Sequence, residues 1–163
     1  SADPDLLNVQ YDWGGGDWET AIQAGAHMGS RPITEYLLEQ GAPLIICAAA
    51  MLGMTDDVRK MLDADPAEAN ARGGHGIPLM FHAAMSGKTK IAAMLKAAGC
   101  REGYDDALHG AVAFGHREMV EWLLQNGAQN INVTDFRGKT PLAVAEAKGL
   151  TEIAALLRAH GAA

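Results

Sequence analysis

A segment of fixed length, bounded by glycines, recurs along this chain and constrains its fold more than any other feature. Four copies begin and end with glycines that are twelve residues apart, at Gly29/Gly41, Gly87/Gly99, Gly115/Gly127 and Gly149/Gly161. A fifth copy runs from Gly53 to Asp65 with the same separation. Self-similarity at a period of this size is typical of a stacked repeat protein, in which each unit packs only against its neighbours.

Each unit reads as two antiparallel helices. In the last copy, Thr140 is a helix N-cap and Pro141 occupies the first helical position. Gly149 suits the left-handed conformation that commonly ends a helix. The following stretch has apolar residues at helical spacing and is closed by Gly161; these residues are Ile153, Ala154, Leu156 and Leu157.

Composition narrows the classes of partner. The formal net charge is −7, and the 13 basic residues are scattered, so neither nucleic acid nor an anionic membrane is expected to bind. The most hydrophobic stretch, Leu44 to Leu52, is too short to span a bilayer. We therefore expect a soluble chain, with cytoplasmic and exported locations both open.

The last copy, Asn132–Ala162, contains GKTPLAVAEAKG followed by EIAALLRAHGA and resembles the ankyrin repeat. Looser matches cover Asn70–Gly99 and Ala107–Ala128, and the phrase LDADPAEANARGGHGIP is similar to bacterial members of the family. The resemblance implies an all-α, ankyrin-type α-solenoid of antiparallel helix pairs with short β-hairpin fingers. The five repeats are expected at about 17–42, 43–66, 67–100, 101–128 and 129–163, after an N-terminal segment, 1–16, that caps the first repeat and ends in a Gly-rich hinge.

The spacing between repeats is irregular. The marker glycines advance by 34 residues in two steps but by only 24 from Gly29 to Gly53 and 28 from Gly87 to Gly115. The shortfall lies after the second helix, where an ankyrin repeat forms its projecting hairpin. We therefore predict complete fingers only at about Asn70–Gly76 and Asn132–Gly138.

The histidines do not form a sequence motif for metal binding or catalysis. His109, His116 and His160 occupy positions that are structural in ankyrin repeats, and His82 lies on an apolar helix. His27 and His75 remain as candidates for functional use, but no His-x-x-x-His or His/Cys cluster accompanies them. The sequence thus predicts no catalytic residues, no cofactor and no metal site.

A partner protein or peptide is the expected ligand, because ankyrin repeats bind partners through their fingers and concave face. Four of the five copies place Met, Leu or Phe just before the marker glycine, which predicts an apolar groove. The groove is expected to contain Met28, Met85 and Phe114, with a rim formed by His75, Tyr104, Phe136, Arg137 and Lys139. Packing against the adjacent repeat is the competing interpretation, favoured for Met51 and Leu52.

The sequence as a whole predicts a non-catalytic, monomeric protein-interaction module. Two alternatives stay open, namely a structural or regulatory domain of a larger assembly and, with less support, an accessory domain of an enzyme.

Overall fold

The computed structural model describes residues 4–163, which form five antiparallel helix pairs. The ten helices are α1 (Ala21–His27), α2 (Arg31–Glu39), α3 (Ile46–Leu52), α4 (Thr55–Ala64), α5 (Leu79–Ser86), α6 (Thr89–Ala97), α7 (Tyr104–Ala113), α8 (Arg117–Asn126), α9 (Pro141–Ala147) and α10 (Thr151–Ala159). The predicted all-α solenoid is confirmed, while the repeat boundaries themselves stay a prediction. Within residues 4–163, every helix is too short or too polar to cross a bilayer.

The first helices of successive pairs stack in one layer. α1 packs on α3, α3 on α5, α5 on α7 and α7 on α9, and the second helices lie outside them. The inner layer is rich in fully buried alanines, including Ala48, Ala49, Ala83, Ala84, Ala107 and Ala111. Small side chains let neighbouring helix backbones approach closely.

The second helices anchor this layer with larger side chains. Ile91, Leu95, Val120, Leu123 and Leu157 are fully buried and belong to one continuous core from α3 to α10. A smaller cluster beneath the first pair contains Ile22, Ala26 and Ala48. Each pair therefore buries its apolar stripe against the next pair, as expected for a solenoid.

The connections between pairs vary in length as the spacing predicts. Short connections occupy residues 40–45 and 98–103, and neither contains a strand. Residues 71–78 form a tight hairpin, here called the central finger, in which Arg72 pairs with Pro78 and Gly73 N–H donates to Ile77 O at 2.9 Å. Residues 128–140 form the C-terminal finger, whose tip is closed by Asp135 N–H donating to Lys139 O at 3.0 Å.

The N-terminal segment forms a hairpin where a hinge was expected, while its role as a cap of the first repeat stays a prediction. Strands β1 (Gln10–Asp12) and β2 (Trp18–Thr20) pair antiparallel, and residues 10–20 form a third hairpin, here called the N-terminal finger. Three consecutive glycines, 14–16, take positive φ in its turn, so they close a hairpin rather than form a hinge. Of the apolar residues 6–13, only Leu7 is buried, and residues 1–3 of the expected cap lie outside the described residues.

The core packing makes a first prediction. Leu123 is fully buried in the continuous core, so Leu123→Ala removes apolar contact and leaves a cavity. We expect the free energy of unfolding to fall by about 2–5 kcal/mol, measured by urea denaturation. A change near zero would mean that α8 packs in a different register.

Candidate functional site

The N-terminal and central fingers meet because the short connection places no finger between them. The connection 40–45 precedes α3, which lies between α1 and α5, so the space above α3 is left open. β2 and the turn at 74–76 contact each other across this space. A complete hairpin before α3 would separate the two fingers.

Two residues of the central finger are adapted to this close approach. A Cβ built on Gly74 would lie 1.6 Å from Oε1 of Glu19, so only glycine admits the Glu19 carboxylate there. His75 has φ 55 and is the one non-glycine residue with positive φ among residues 4–163. Such conformations cost free energy and occur preferentially at functional sites.

Glu19 is the centre of a cluster of side chains from three segments. It lies on β2, is 3% exposed, and its Oε1 accepts a hydrogen bond at 2.6 Å from Nδ1 of His27 on α1. Its Oε2 lies 3.5 Å from Nε2 of His75 on the central finger. Nδ1 of His75 in turn donates to Oδ2 of Asp17 in the N-terminal finger. The cluster thus joins both fingers and the first helix.

The environment of the two imidazoles is polar on one side and aromatic on the other. Their ring centroids are 4.8 Å apart in an edge-on arrangement, and the Trp13 ring lies 6.2 Å from His75. The hydrogen bond to Asp17, together with the nearby charges of Glu19 and Asp17, raises the pKa of His75 above its ordinary value.

His82 lies beneath the central finger, on the inner side of the cluster around Glu19. It is fully buried on α5, and its Nδ1–H donates to Pro78 O at 3.1 Å, while Nε2 has no hydrogen-bond partner among the described residues. A Cβ on Gly73 would lie 2.7 Å from this ring. Burial lowers the pKa of His82 to about 4, so the ring is neutral at physiological pH.

Sequence reasoning identified only part of this cluster. It singled out His27 and His75 but expected no metal site, and it did not single out Asp17 or Glu19. Asp17 and His75 are 58 residues apart in sequence, so no local motif joins them. The available signal was the short connection 40–45, which brings non-adjacent fingers together.

One of the three residues expected to line the predicted apolar groove is buried. Met85 is 5% exposed and packs with Met51 and Leu52. A Cβ on Gly29 would lie 3.1 Å from Sδ of Met85 and 2.2 Å from the Phe114 ring, so the first and fourth pairs approach each other here. The expectation of an accessible Met85 is therefore wrong, because the inner layer curves inward.

Tyr104 also differs from its expected place at the rim. It is 8% exposed, its hydroxyl donates to Cys100 O at 3.2 Å, and its ring stacks on Trp122 at 6.5 Å. A Cβ on Gly127 would lie 2.5 Å from the Tyr104 ring. Tyr104, the first residue of α7, therefore packs between the short connection 98–103 and the end of α8, and it does not face a partner.

The remaining candidates are accessible. Met28 is 69% and Phe114 44% exposed at the ends of their helices. On the C-terminal finger, Phe136 is 90% exposed and the Arg137 guanidinium lies 4.8 Å from its ring centroid. Lys139 is exposed beside them. The structure thus places Phe136, Arg137 and Lys139 together at one finger tip, apart from His75.

The N-terminal finger, which overlaps the segment 1–16 expected to cap the first repeat, adds exposed aromatic residues. Tyr11, Trp13 and Trp18 are all exposed, and the Tyr11 and Trp13 rings pack edge to face at 4.9 Å. The hairpin therefore leaves these rings in solvent.

Three other histidines have the structural roles expected for them, since each ring bonds to a backbone carbonyl at 2.9 Å. His109 contacts Val133 O, His116 contacts Met85 O and His160 contacts Leu156 O.

Comparison with known proteins agrees with this architecture. A family model described as ankyrin repeats (3 copies) matches residues 44–135 and 100–163. The mouse (Mus musculus) protein "Nuclear factor NF-kappa-B p105 subunit" is 34% identical over 95 residues, which are 55% of this chain and 10% of p105. The chain therefore spans about a tenth of the length of that relative.

The buried His82 makes a prediction about pH. Because its pKa is about 4 in the folded chain, below its ordinary value of 6.5, the unfolded chain takes up the proton first as the pH falls. The stabilisation of the folded chain by neutral His82 is therefore complete above about pH 6.5 and is lost as the pH falls towards about 4. This loss lowers the free energy of unfolding by about 3 kcal/mol. Urea unfolding across this range measures it, and His82→Gln should show a correspondingly shallower loss. Equal pH dependence in both proteins would show that His82 titrates normally.

Proposed function

The chain belongs to the ankyrin repeat family, and we propose that it is a non-catalytic module whose fingers bind a partner protein. Ankyrin repeats are generally protein–protein interaction modules. The proposal adds which surface of this chain is used, namely the tips of the N-terminal and C-terminal fingers together with the exposed residues of the concave face.

The exposure of Phe136 is the observation that carries the proposal. The ring is 90% exposed and is covered only by the Arg137 guanidinium, 4.8 Å from its centroid. Aromatic and arginine side chains are the usual anchors of protein interfaces, because each buries a large area on binding. A phenylalanine at this position contributes little to the stability of the fold, so its ring is available to contact a partner protein.

The backbone beneath Phe136 is well supported. Oδ1 of Asp135 accepts from the N–H groups of Arg137 and Lys139, each at 2.9 Å, and these bonds, the one to Lys139 foremost, lower the pKa of the carboxyl. At the base of the finger, Oδ1 of Asp105 accepts from Gln129 N–H at 2.6 Å. A finger ordered before binding loses less conformational entropy when the partner arrives.

The N-terminal finger supports the same use. All connections from a second helix to the next first helix leave the same end of the stack, because the first helices pack side by side in one layer. Tyr11, Trp13 and Trp18 are exposed on the N-terminal finger. Exposed aromatic side chains therefore occur on both the N-terminal and the C-terminal finger, at the two ends of the stack. Met28 and Phe114 extend the surface to the other end of the inner helices.

We predict that Phe136→Ala weakens partner binding at least tenfold, which corresponds to about 1.4 kcal/mol, with little change in melting temperature. The partner is first identified by affinity capture from a lysate of the source organism, and Kd is then measured by calorimetry. Tyr36→Ala is the matched control, because Tyr36 is an exposed aromatic residue on the outer helix α2.

The two variants also separate the alternatives. Loss of affinity in Phe136→Ala alone supports binding through the fingers. Equal losses of stability and binding would make Phe136 structural, and loss in Tyr36→Ala alone would assign the interface to the outer helices, as in a domain that docks sideways within an assembly.

A further inference from the structure

We propose that Glu19, His27 and His75 form a zinc-binding site that joins the N-terminal finger, α1 and the central finger. This inference does not depend on which partner the fingers bind. It rests on the donor atoms, on the burial of Glu19 and on the way Asp17 holds the His75 ring.

The donor set suits zinc. Each of the three residues offers one ligand atom, and these atoms all lie within 4.8 Å of one another. Two imidazole nitrogens and a carboxylate oxygen are ligands that Zn²⁺ binds in proteins, where a water commonly fills a fourth position. His75 has a side chain 36% exposed, so the open position faces solvent. Sites for Mg²⁺ or Ca²⁺ would instead need more oxygen ligands.

The spacing of the donor atoms is close to that of a zinc site. Zinc–ligand distances of about 2.0–2.1 Å in a tetrahedron separate neighbouring ligand atoms by about 3.3 Å. Oε2 of Glu19 is 3.5 Å from Nε2 of His75, and Oε1 is 2.6 Å from Nδ1 of His27. Small side-chain rotations therefore suffice, and a bound zinc ion replaces the proton between Glu19 and His27, which leaves to solvent.

The Glu19 carboxylate is itself suited to binding a cation. Its side chain is 1% exposed, and Oε2 has no hydrogen-bond partner among the described residues. Burying a carboxylate oxygen without a partner is costly unless a positive charge or a hydrogen-bond donor compensates it. Oε2 faces His75 Nε2, so an ion placed between these atoms would satisfy both.

Asp17 supplies the outer shell that metal-binding histidines usually have. It accepts the Nδ1–H of His75, which fixes the ring and leaves Nε2 directed toward Glu19. A carboxylate–histidine–metal arrangement of this kind orients the ligand and increases its basicity. In this arrangement Asp17 is a positioning residue, not a ligand.

The backbone conformation of the central finger also suits a metal site. His75 keeps φ 55 and Gly74 leaves room for the carboxylate, where a Cβ would lie 1.6 Å from Oε1. A zinc ion would link residues from the two hairpins and add to the contacts that Asp17 and Glu19 already make with His75. Its binding would therefore fix the N-terminal finger, with its exposed aromatic residues, against the rest of the stack.

The test is titration of the metal-free chain with Zn²⁺ by calorimetry, and with Co²⁺ by visible absorption. We expect one ion per chain and a tetrahedral Co²⁺ spectrum. His75→Asn is the key variant, because Asn tolerates positive φ but supplies no imidazole, and it should abolish saturable binding at concentrations that saturate the wild type. Glu19→Gln and His27→Ala should do the same, while Asp17→Asn should weaken binding about 10- to 100-fold.

His160→Ala is the matched control, because this exposed histidine lies in the last repeat and bonds only to Leu156 O. It should bind zinc as the wild type does. Circular dichroism checks that each variant is folded, and His75→Asn alters only an exposed finger residue. The absence of a tetrahedral Co²⁺ spectrum in the wild type would overturn the proposal, as would unchanged binding in folded His75→Asn. In either case the cluster would be an ion-paired contact between fingers.

Discussion

Close packing of the first helices through alanine is the constraint on which the rest of this structure depends. Fully buried alanines such as Ala48, Ala84 and Ala111 let the first helices approach closely, and the twelve-residue spacing that follows each marker glycine keeps the second helices at nine or ten residues. The repeats then differ mainly in the length of the connection between successive helix pairs. Where a connection is short, as at 40–45 and 98–103, no hairpin forms and the flanking fingers or helices come together.

The two short connections have different consequences. At 40–45 the missing finger lets the N-terminal and central fingers meet, which brings Asp17 and Glu19 to His75. At 98–103 the space is filled by Tyr104, whose ring stacks on Trp122, and Arg72 of the central finger pairs with Glu102 of the connection at a side-chain separation of 2.5 Å. One gap therefore contains a polar cluster around a buried carboxylate, and the other a packed aromatic contact and a surface ion pair.

Much of the fold follows from the sequence because its determinants are local. Thr140 and Pro141 start α9 where the pattern predicts, with the Thr140 hydroxyl accepting from Ala143 N–H at 3.2 Å. The short connections also follow from counting residues between marker glycines. The N-terminal finger does not, since its strands are three residues each and its glycines suit a hinge equally well.

The candidate sites are less predictable because they depend on distances between repeats. The sequence places Phe136 at a finger tip, and a tip offers nothing to pack against. It cannot place Met85, whose burial depends on the curvature that brings Phe114 to Gly29. Nor can it join Glu19 to His75, because that contact exists only when the finger between them is absent.

The short connection 40–45 creates the contact between the N-terminal and central fingers. The most direct test is the nuclear Overhauser effect between the ring protons of His27 and His75, whose centroids are 4.8 Å apart. It should be present in the wild-type chain and absent when residues 40–45 are extended to the length of a complete finger. Its absence from the wild type, or its persistence in the extended chain, would show that the short connection does not create this contact.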